Sequence, residues 1–373
     1  MSSSLGQHSC TRPFILAILL VLSTLLLFYS YHTNLNVPSF ARFFQLNKTL
    51  SSTPSNGTLK PEDNPTDNPT DNPTDNLTVL LIWTWPFGVK FDSNCSVFGI
   101  KKCLLTDNRS LYHTADGVFV HHRDIHADFI DLRKVPRPWF QKWVWMDMES
   151  PQNTRPIPIL NNLFNITCNY REDSTVRIPY GYLQKRNVSK PIVPLPNKDK
   201  LVCWVVSNWN NQYARVRYYN ELKKYISINI YGRAFQKPLS ADALEEVISS
   251  CKFYLAFENS VYKDYITDKL FRTMMFGSVP IVLGPPRDNY EKQIPADAFI
   301  HINDFANPKE LAERLHYLDK HPEEYRDYFR WRAQYEAKLS GFGTVHACKS
   351  CSHIRKTRSP EVVSDLTKWF WGK

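Results

Sequence analysis

The sequence predicts an α/β protein in which two helix-covered parallel sheets face each other across a cleft, behind a single membrane-spanning helix. Three observations predict it. Short apolar runs rich in aromatic and β-branched residues recur from about residue 77, and from residue 200 they alternate with helical patterns, the order that builds parallel sheets. These runs fall into two series, and two series imply two sheets. The third observation is FILAILLVLSTLLLFYSY, residues 14 to 31, which carries no charge and is long enough to span a bilayer once.

Arg12 precedes that run and a polar stretch comes after it. The run exceeds a usual signal-peptide h-region and no Ala-x-Ala site follows, so the expectation is an uncleaved anchor. Residues 1 to 13 are then cytosolic and residues from about 32 onward luminal. The short span suits a thin early-secretory membrane. Seven Asn-x-Ser/Thr sequons all lie beyond the anchor, at Asn47, Asn56, Asn76, Asn94, Asn108, Asn165 and Asn187. Asn76, Asn108 and Asn165 are the glycosylation candidates. Seven of the eight cysteines also fall on the luminal side, where disulfides form, and the odd number leaves one thiol over. Residues 32 to 76 read as a stem that ends in DNPTDNPTDNPTDNLT. Its proline, acid and amide content cannot bury enough surface to offset ordering entropy, so it is an extended spacer. Proline after Asn64, Asn68 and Asn72 blocks glycosylation there, and Asn76 escapes.

Composition bounds the possible functions. A chain of 373 residues, 43% hydrophobic and 14% aromatic, has material for two real cores. Its net charge of +10 fits an anionic ligand or an anionic surface without choosing between them. There is no GxGxxG and no P-loop GxxxxGK[ST], so dinucleotide redox chemistry and ATP hydrolysis lose their usual sequence support. No Asp-x-Asp occurs, which argues against a metal-bridged nucleotide-sugar site. Cys348-Lys-Ser-Cys351 has no second luminal CxxC and reads as disulfide-bonded rather than as half a zinc site.

The first series comprises LTVLLIWTWPFG (77 to 88), GVFVHH (117 to 122) and KWVWMDM (142 to 148), each a buried strand ending in polar residues. Active-site groups of open α/β sheets gather at strand carboxyl ends, which selects His121, His122, Arg123 and Glu149. The histidine pair reads as strand-end side chains satisfied by hydrogen bonds rather than as metal ligands. Glu149 ends a very apolar strand and precedes Pro151, so partial desolvation can raise its pKa toward that of a general base; a capping or surface glutamate is the plain alternative. The second series runs KLVCWVVSNWN (200 to 210), a helix over ARVRYYNELKKYI, INIYGRAF, a helix from about 240, CKFYLAFENS (251 to 260), a helix to about 276, and VPIVLGPP (279 to 286). In FENSVYKDYITDKLFR, residues 257 to 272, Tyr262, Tyr265 and Lys269 stand at helical spacing. An amphipathic helix with solvated charges is one reading. A helix N-terminus whose Lys269, with a separate arginine, holds a diphosphate is the other.

FENSVYKDYITDKL resembles the donor-binding signature of the α-1,3-fucosyltransferases, inverting enzymes that move fucose from GDP-β-L-fucose to the 3-hydroxyl of N-acetylglucosamine. WTWPFG, ADGVFVHHRDI, KWVWMDMESP, YREDSTVRIPYGYL, KLVCWVVSNWN, ARVRYYNEL, VPIVLGPPRDNYE, DAFIHINDF, FRWR and KWFW look like further family blocks in family order, covering the chain from about residue 78 to its end. Within the family, ESP, CWVVSNWN and the C-terminal HACxxC with KWFW look most like the type-nine branch, which makes Lewis x.

The resemblance implies a GT-B fold of two Rossmann-like domains, on a Golgi type II membrane protein with a stem. Residues 77 to 190 would bind the acceptor, residues 191 to 345 the GDP-fucose, and residues 346 to 373 would pack back on the first domain. Glu149 matches the general base. Arg215 and Lys269 match the groups that neutralise the departing diphosphate, which implies that no metal or other cofactor is needed. Tyr180, Val205, Ser207, Asn208, Tyr254, Asn259, Tyr265 and Asp268 match other donor-pocket positions. Val89 stands where close relatives carry a polar acceptor contact. Arg123 stands where α-1,3/4 enzymes carry tryptophan, which implies type 2 acceptors, Galβ1-4GlcNAc, on glycoproteins and glycolipids. Implied cysteine pairs are Cys203 with Cys251, Cys95 with Cys348 and Cys103 with Cys351, leaving Cys168 single. The expected partners are the donor, the lactosamine acceptors, the Golgi membrane and a second copy of the chain, with no nucleic acid. Val89, and Asp268 in place of the family's usual glutamate, motivate a second reading as a non-catalytic Golgi glycan-binding protein; a glycosyltransferase with another nucleotide-sugar donor is a third.

Overall fold

The computed structural model describes residues 76 to 187, 189, 191 to 357 and 361 to 372. The expected cytosolic tail, the anchor at 14 to 31 and all of the stem except Asn76 lie outside them. Among the described residues no helix is long and apolar enough to cross a membrane.

Six strands form the first sheet: β1 (Thr78–Ile82), β2 (Cys103–Thr106), β3 (Gly117–His121), β4 (Lys142–Met146), β5 (Ile166–Asn169) and β6 (Val176–Arg177), with helix α1 (Ala127–Leu132) between β3 and β4. The order is β2-β1-β3-β4-β5-β6 and every pairing is parallel. In the central strands β3 and β4 every residue is buried. That matches their unbroken apolar sequences, since a strand covered on both faces cannot alternate. The run 77 to 88 is a strand only to Ile82. Pro86 removes a ladder donor, Phe87 is left-handed at φ 56°, and the segment closes as a 3-10 turn, Pro86–Gly88, held by Asp124 Oδ2 accepting from Phe87 N at 2.6 Å.

The second sheet holds β8 (Lys200–Val205), β9 (Asn229–Tyr231), β10 (Cys251–Phe257), β11 (Val279–Leu283) and β12 (Ile300–His301), in the order β12-β11-β10-β8-β9, again all parallel. Helices α2 (Ala214–Leu222), α3 (Ala241–Ser250), α4 (Asp268–Met275) and α5 (Arg287–Glu291) connect its strands, and α6 (Pro308–Lys320) and α7 (Pro322–Asp327) follow. A core of Val202, Trp204, Phe253, Leu255, Ile281 and Leu315 lies between the strands and helices. The chain is thus an α/β protein with two parallel sheets.

A helix through 257 to 272 does not form. Residues 258 to 267 are a loop and α4 starts at Asp268, with Thr267 as its N-cap accepting from Lys269 N. Asp264 breaks the helical pattern: it is left-handed at φ 61°, and its buried carboxylate accepts from Glu172 N and from Asn289 Nδ2, both at 3.1 Å. Tertiary hydrogen bonds override the local spacing, so Tyr262 and Tyr265 share no helix face with Lys269.

A two-stranded antiparallel ribbon pairs β7 (Gly181–Lys185) with β13 (Tyr335–Leu339), and α4 packs on it. Helix α8 (Thr344–Lys356) returns to the first sheet, where Cys95–Cys348 and Cys103–Cys351 bind it; Cys203–Cys251 links β8 to β10. Cys168 is unpaired and buried, and burial pushes its thiol up to about 12, so it is inert at neutral pH. Helix α9 (Leu366–Trp371) follows and sets Phe370 against Trp145, with ring centroids 4.9 Å apart.

Asn76 and Asn108 are exposed, whereas Asn165 is buried. Asn165 is 9% exposed, its Nδ2 donates to Glu361 O at 2.6 Å, and its Oδ1 accepts from Trp143 N and Arg137.

Gly181 lets the ribbon sit on α4. A Cβ there would overlap the Phe271 ring and lie 2.6 Å from Lys338 O. Gly181→Ala is therefore expected to cost about 1–3 kcal/mol by overpacking, measured by denaturant unfolding.

Candidate active site

At the carboxyl end of β3, His121 Nδ1 meets Asp124 Oδ2 at 2.5 Å. His122 Nδ1 accepts from Trp145 Nε1 at 2.9 Å, so its Nε2 carries the proton that it gives to Arg155 O at 2.8 Å. Burial pushes the His122 pKa down, which keeps the ring neutral. Both histidines are framework groups.

Glu149 lies beyond the end of β4 and is 8% exposed. Arg123 Nη1 stands 3.2 Å from its Oε1, and Tyr265 Oη stands 3.5 Å from its Oε2. The backbone is clamped as firmly. Glu149 N donates to Asp147 Oδ1 at 2.9 Å, Tyr170 donates to Glu149 O at 3.3 Å, and Tyr180 donates to Met148 O. The rings of Tyr170, Tyr180 and Tyr265 pack against one another, with centroids 5.2 to 6.2 Å apart. Burial raises the Glu149 pKa above its ordinary value, and Asp147 adds to the rise while Arg123 and Lys269 oppose it. The three tyrosine pKa values are also driven up, chiefly by burial, so the hydroxyls keep their protons and act as donors. The result is a carboxylate fixed in place, poorly solvated, and more basic than an exposed glutamate.

The second sheet contributes cations. Arg215, in the first turn of α2, is 4% exposed; it donates to Asn208 O, and its Nε has no partner. A buried guanidinium with an unused donor is suited to receive an anion. Lys269, in the first turn of α4, donates from Nζ to Glu258 Oε2 and to Thr267 Oγ1, both at 2.8 Å. Glu258 follows β10 directly at 1% exposure, and it also accepts from Thr267 N at 2.8 Å and from Thr267 Oγ1 at 2.9 Å. One buried carboxylate thus shapes the helix start and aims the lysine. The Glu258 charge also acts on Arg215, opposing the fall that burial imposes on its pKa. Among the described residues no group of three His, Cys, Asp or Glu side chains is placed to hold a metal ion.

Most of the sequence-derived residues converge. Tyr265 joins Glu149 to the second sheet, Asn259 hydrogen-bonds Tyr265, and Tyr254 reaches the Val205 backbone. Asp268 instead pairs within α4, with its Oδ2 2.8 Å from Arg272 Nε. Ser207 is exposed beyond β8. Val89 caps the Pro86–Gly88 turn, half-buried, and has no polar atom to offer beyond its backbone. Sequence reasoning missed Asp147, Tyr170 and Glu258. The strand-end rule that selected Glu149 would also have found Glu258, the first polar residue after KFYLAF.

Residues 75–181 match the family description "Fucosyltransferase, N-terminal", and residues 195–369 match "Glycosyltransferase family 10 (fucosyltransferase) C-term". The chain belongs to the family 10 fucosyltransferases. Among its family relatives, the 4-galactosyl-N-acetylglucosaminide 3-alpha-L-fucosyltransferase 9 of Bos taurus is 49% identical over 296 residues, 79% of this chain and 82% of that protein. The Homo sapiens protein of the same name is 48% identical over the same span. A crystal structure titled alpha1,3-fucosyltransferase with GDP-fucose shares the fold at a TM-score of 0.52 and 19% identity, covering 79% of this chain and 95% of the other. This family 10 chain therefore carries the family's N-terminal region on its first sheet and the C-terminal region on its second.

Because the Glu149 pKa is raised in the folded state, the folded chain binds the proton more tightly than the unfolded chain. The stabilising effect of that proton is present below the unfolded pKa and is lost as pH rises through the folded one. Glu149→Gln is accordingly expected to be more stable than the parent at neutral pH, with the difference vanishing below about pH 4, in melting curves taken across pH.

Proposed function

We infer that the chain is an inverting α-1,3-fucosyltransferase that moves L-fucose from GDP-β-L-fucose to the 3-hydroxyl of GlcNAc in Galβ1-4GlcNAc, on glycoproteins and glycolipids, giving Lewis x-type products. The observation that carries this reading is Glu149, a buried carboxylate of raised pKa that bonds across to Tyr265, beside the cations Lys269 and Arg215 of the second sheet. In this reading Glu149 takes the proton of the acceptor hydroxyl as the oxygen attacks the anomeric carbon. The bond from that carbon to the diphosphate breaks on the opposite face, which inverts the centre. Arg215 and Lys269 meet the charge that develops on GDP, so the reaction runs without a metal.

The family membership and the names of the relatives support the donor and acceptor assignments. The two parallel sheets support a GT-B arrangement with the acceptor on the first and the nucleotide on the second. The uncharged run at 14 to 31, the luminal sequons and the three disulfides support a single-pass type II protein of the Golgi membrane, with its catalytic part in the lumen. Homodimers through the anchor belong to the same reading.

Full-length protein in detergent is expected to fucosylate N-acetyllactosamine equally well in EDTA and in added manganese, with α-1,3 linkage read by NMR. Glu149→Gln should lower kcat by about 10²–10⁴-fold and leave GDP affinity intact; full turnover by this variant removes the assigned base. Arg215→Lys loses the planar fork and should weaken GDP binding by roughly tenfold or more, measured by calorimetry.

A further inference from the structure

Asp147 is fully buried, yet no ion pair among the described residues neutralises it, and its Oδ2 has no hydrogen-bond partner. A buried carboxyl oxygen without a partner costs stability. Its other oxygen, Oδ1, receives Glu149 N–H at 2.9 Å. Met146 and Cys168 are register partners, so Asp147, one residue past β4, comes next to Asn169 at the end of β5. Asn169 Nδ2 is likewise buried without a partner, while Asn169 Oδ1 accepts from Arg171 N. His122 cannot supply Asp147 with a proton donor, because its Nε2–H is committed to Arg155 O and its Nδ1 is an acceptor. No cation or hydrogen-bond donor therefore stands against Asp147 Oδ2 beneath Glu149.

We propose that Asp147 is a positioning residue for Glu149, fixing the backbone of the base through its N–H and setting the electrostatic field beneath the carboxylate. This rests on Glu149 being the base. The groups acting on Glu149 are Arg123 from the end of β3, Asp147 and Asn153 from its own segment, Tyr170 from beyond β5, and Tyr265 and Lys269 from the second sheet. Of these, Asp147 is the added anion. Tyr180 faces the same segment through Met148 O. An anion beside Glu149 disfavours its ionised form, so removing that charge lets the base remain ionised to lower pH.

Two variants of the full-length enzyme separate the roles. Asp147→Asn keeps the acceptor oxygen for Glu149 N and loses the charge. The acid limb of its kcat–pH profile is expected to move to lower pH, with the plateau reduced about two- to fivefold as the base weakens. Asp147→Ala loses both, and its kcat should fall by about 10²-fold while GDP affinity is unchanged, because the base is displaced. An Asn variant with an unmoved acid limb overturns the electrostatic half. An Ala variant with parental kcat overturns the positioning half. Should Ala lower the melting temperature and GDP binding together, with no rescue by Asn, the role is structural and the proposal fails. Parental turnover in Glu149→Gln would instead refute the functional reading, an outcome distinct from any of these.

Discussion

Keeping one carboxylate ionisable inside an apolar sheet edge is the constraint on which the rest of this structure depends. Burial there disfavours the charged form and raises a carboxyl group's pKa. Glu149 is held between that outcome and full solvation by a partly exposed arginine on one side and a tyrosine hydroxyl on the other. The balance requires geometry that a loop could not hold alone. Strand β4, buried along its whole length, delivers the segment, and Tyr170, Tyr180 and Asp147 tie down its peptide groups. Core packing and chemistry are here the same set of contacts.

The second sheet solves the complementary problem with the opposite charge. Lys269 is paired, through a carboxylate that is itself almost wholly desolvated, whereas Arg215 retains an unused donor. The pairing keeps the lysine aimed. Tyr265 stands between these groups and Glu149, so the two ends of the proposed transfer share one side chain. Its loop is fastened by Asp264, which is bonded to residues of both sheets' connections, Glu172 and Asn289.

Much of the fold was legible because both sheets are parallel and buried. Continuous apolar runs mark such strands, and their ends mark the site, as Glu149 and the 251 to 260 run show. Short strands such as β6 and β12, of two residues each, carry too little pattern to be read. The helix expected to run to about 276 begins only at Asp268, for a different reason. Helical spacing is a local signal, and Asp264 answers to partners 92 and 25 residues away. The burial of Asn165 against Glu361 O is likewise out of reach of a three-residue sequon. Asp147 was invisible in sequence because its significance lies in what it lacks, a partner for Oδ2.

The two bridges that bind α8 to the first sheet have a consequence for how the chain is made. Their sequence separations are 253 and 248 residues. At ribosomal speeds of 5–20 residues per second, Cys95 and Cys103 therefore wait roughly 10–50 s as free thiols before their partners exist. During that interval they are close in sequence and open to pairing with each other. The first sheet cannot be locked as it emerges; it is completed from the opposite end of the polypeptide. Both pairs of sulfur atoms can thus come together only once α8 has docked on the first sheet.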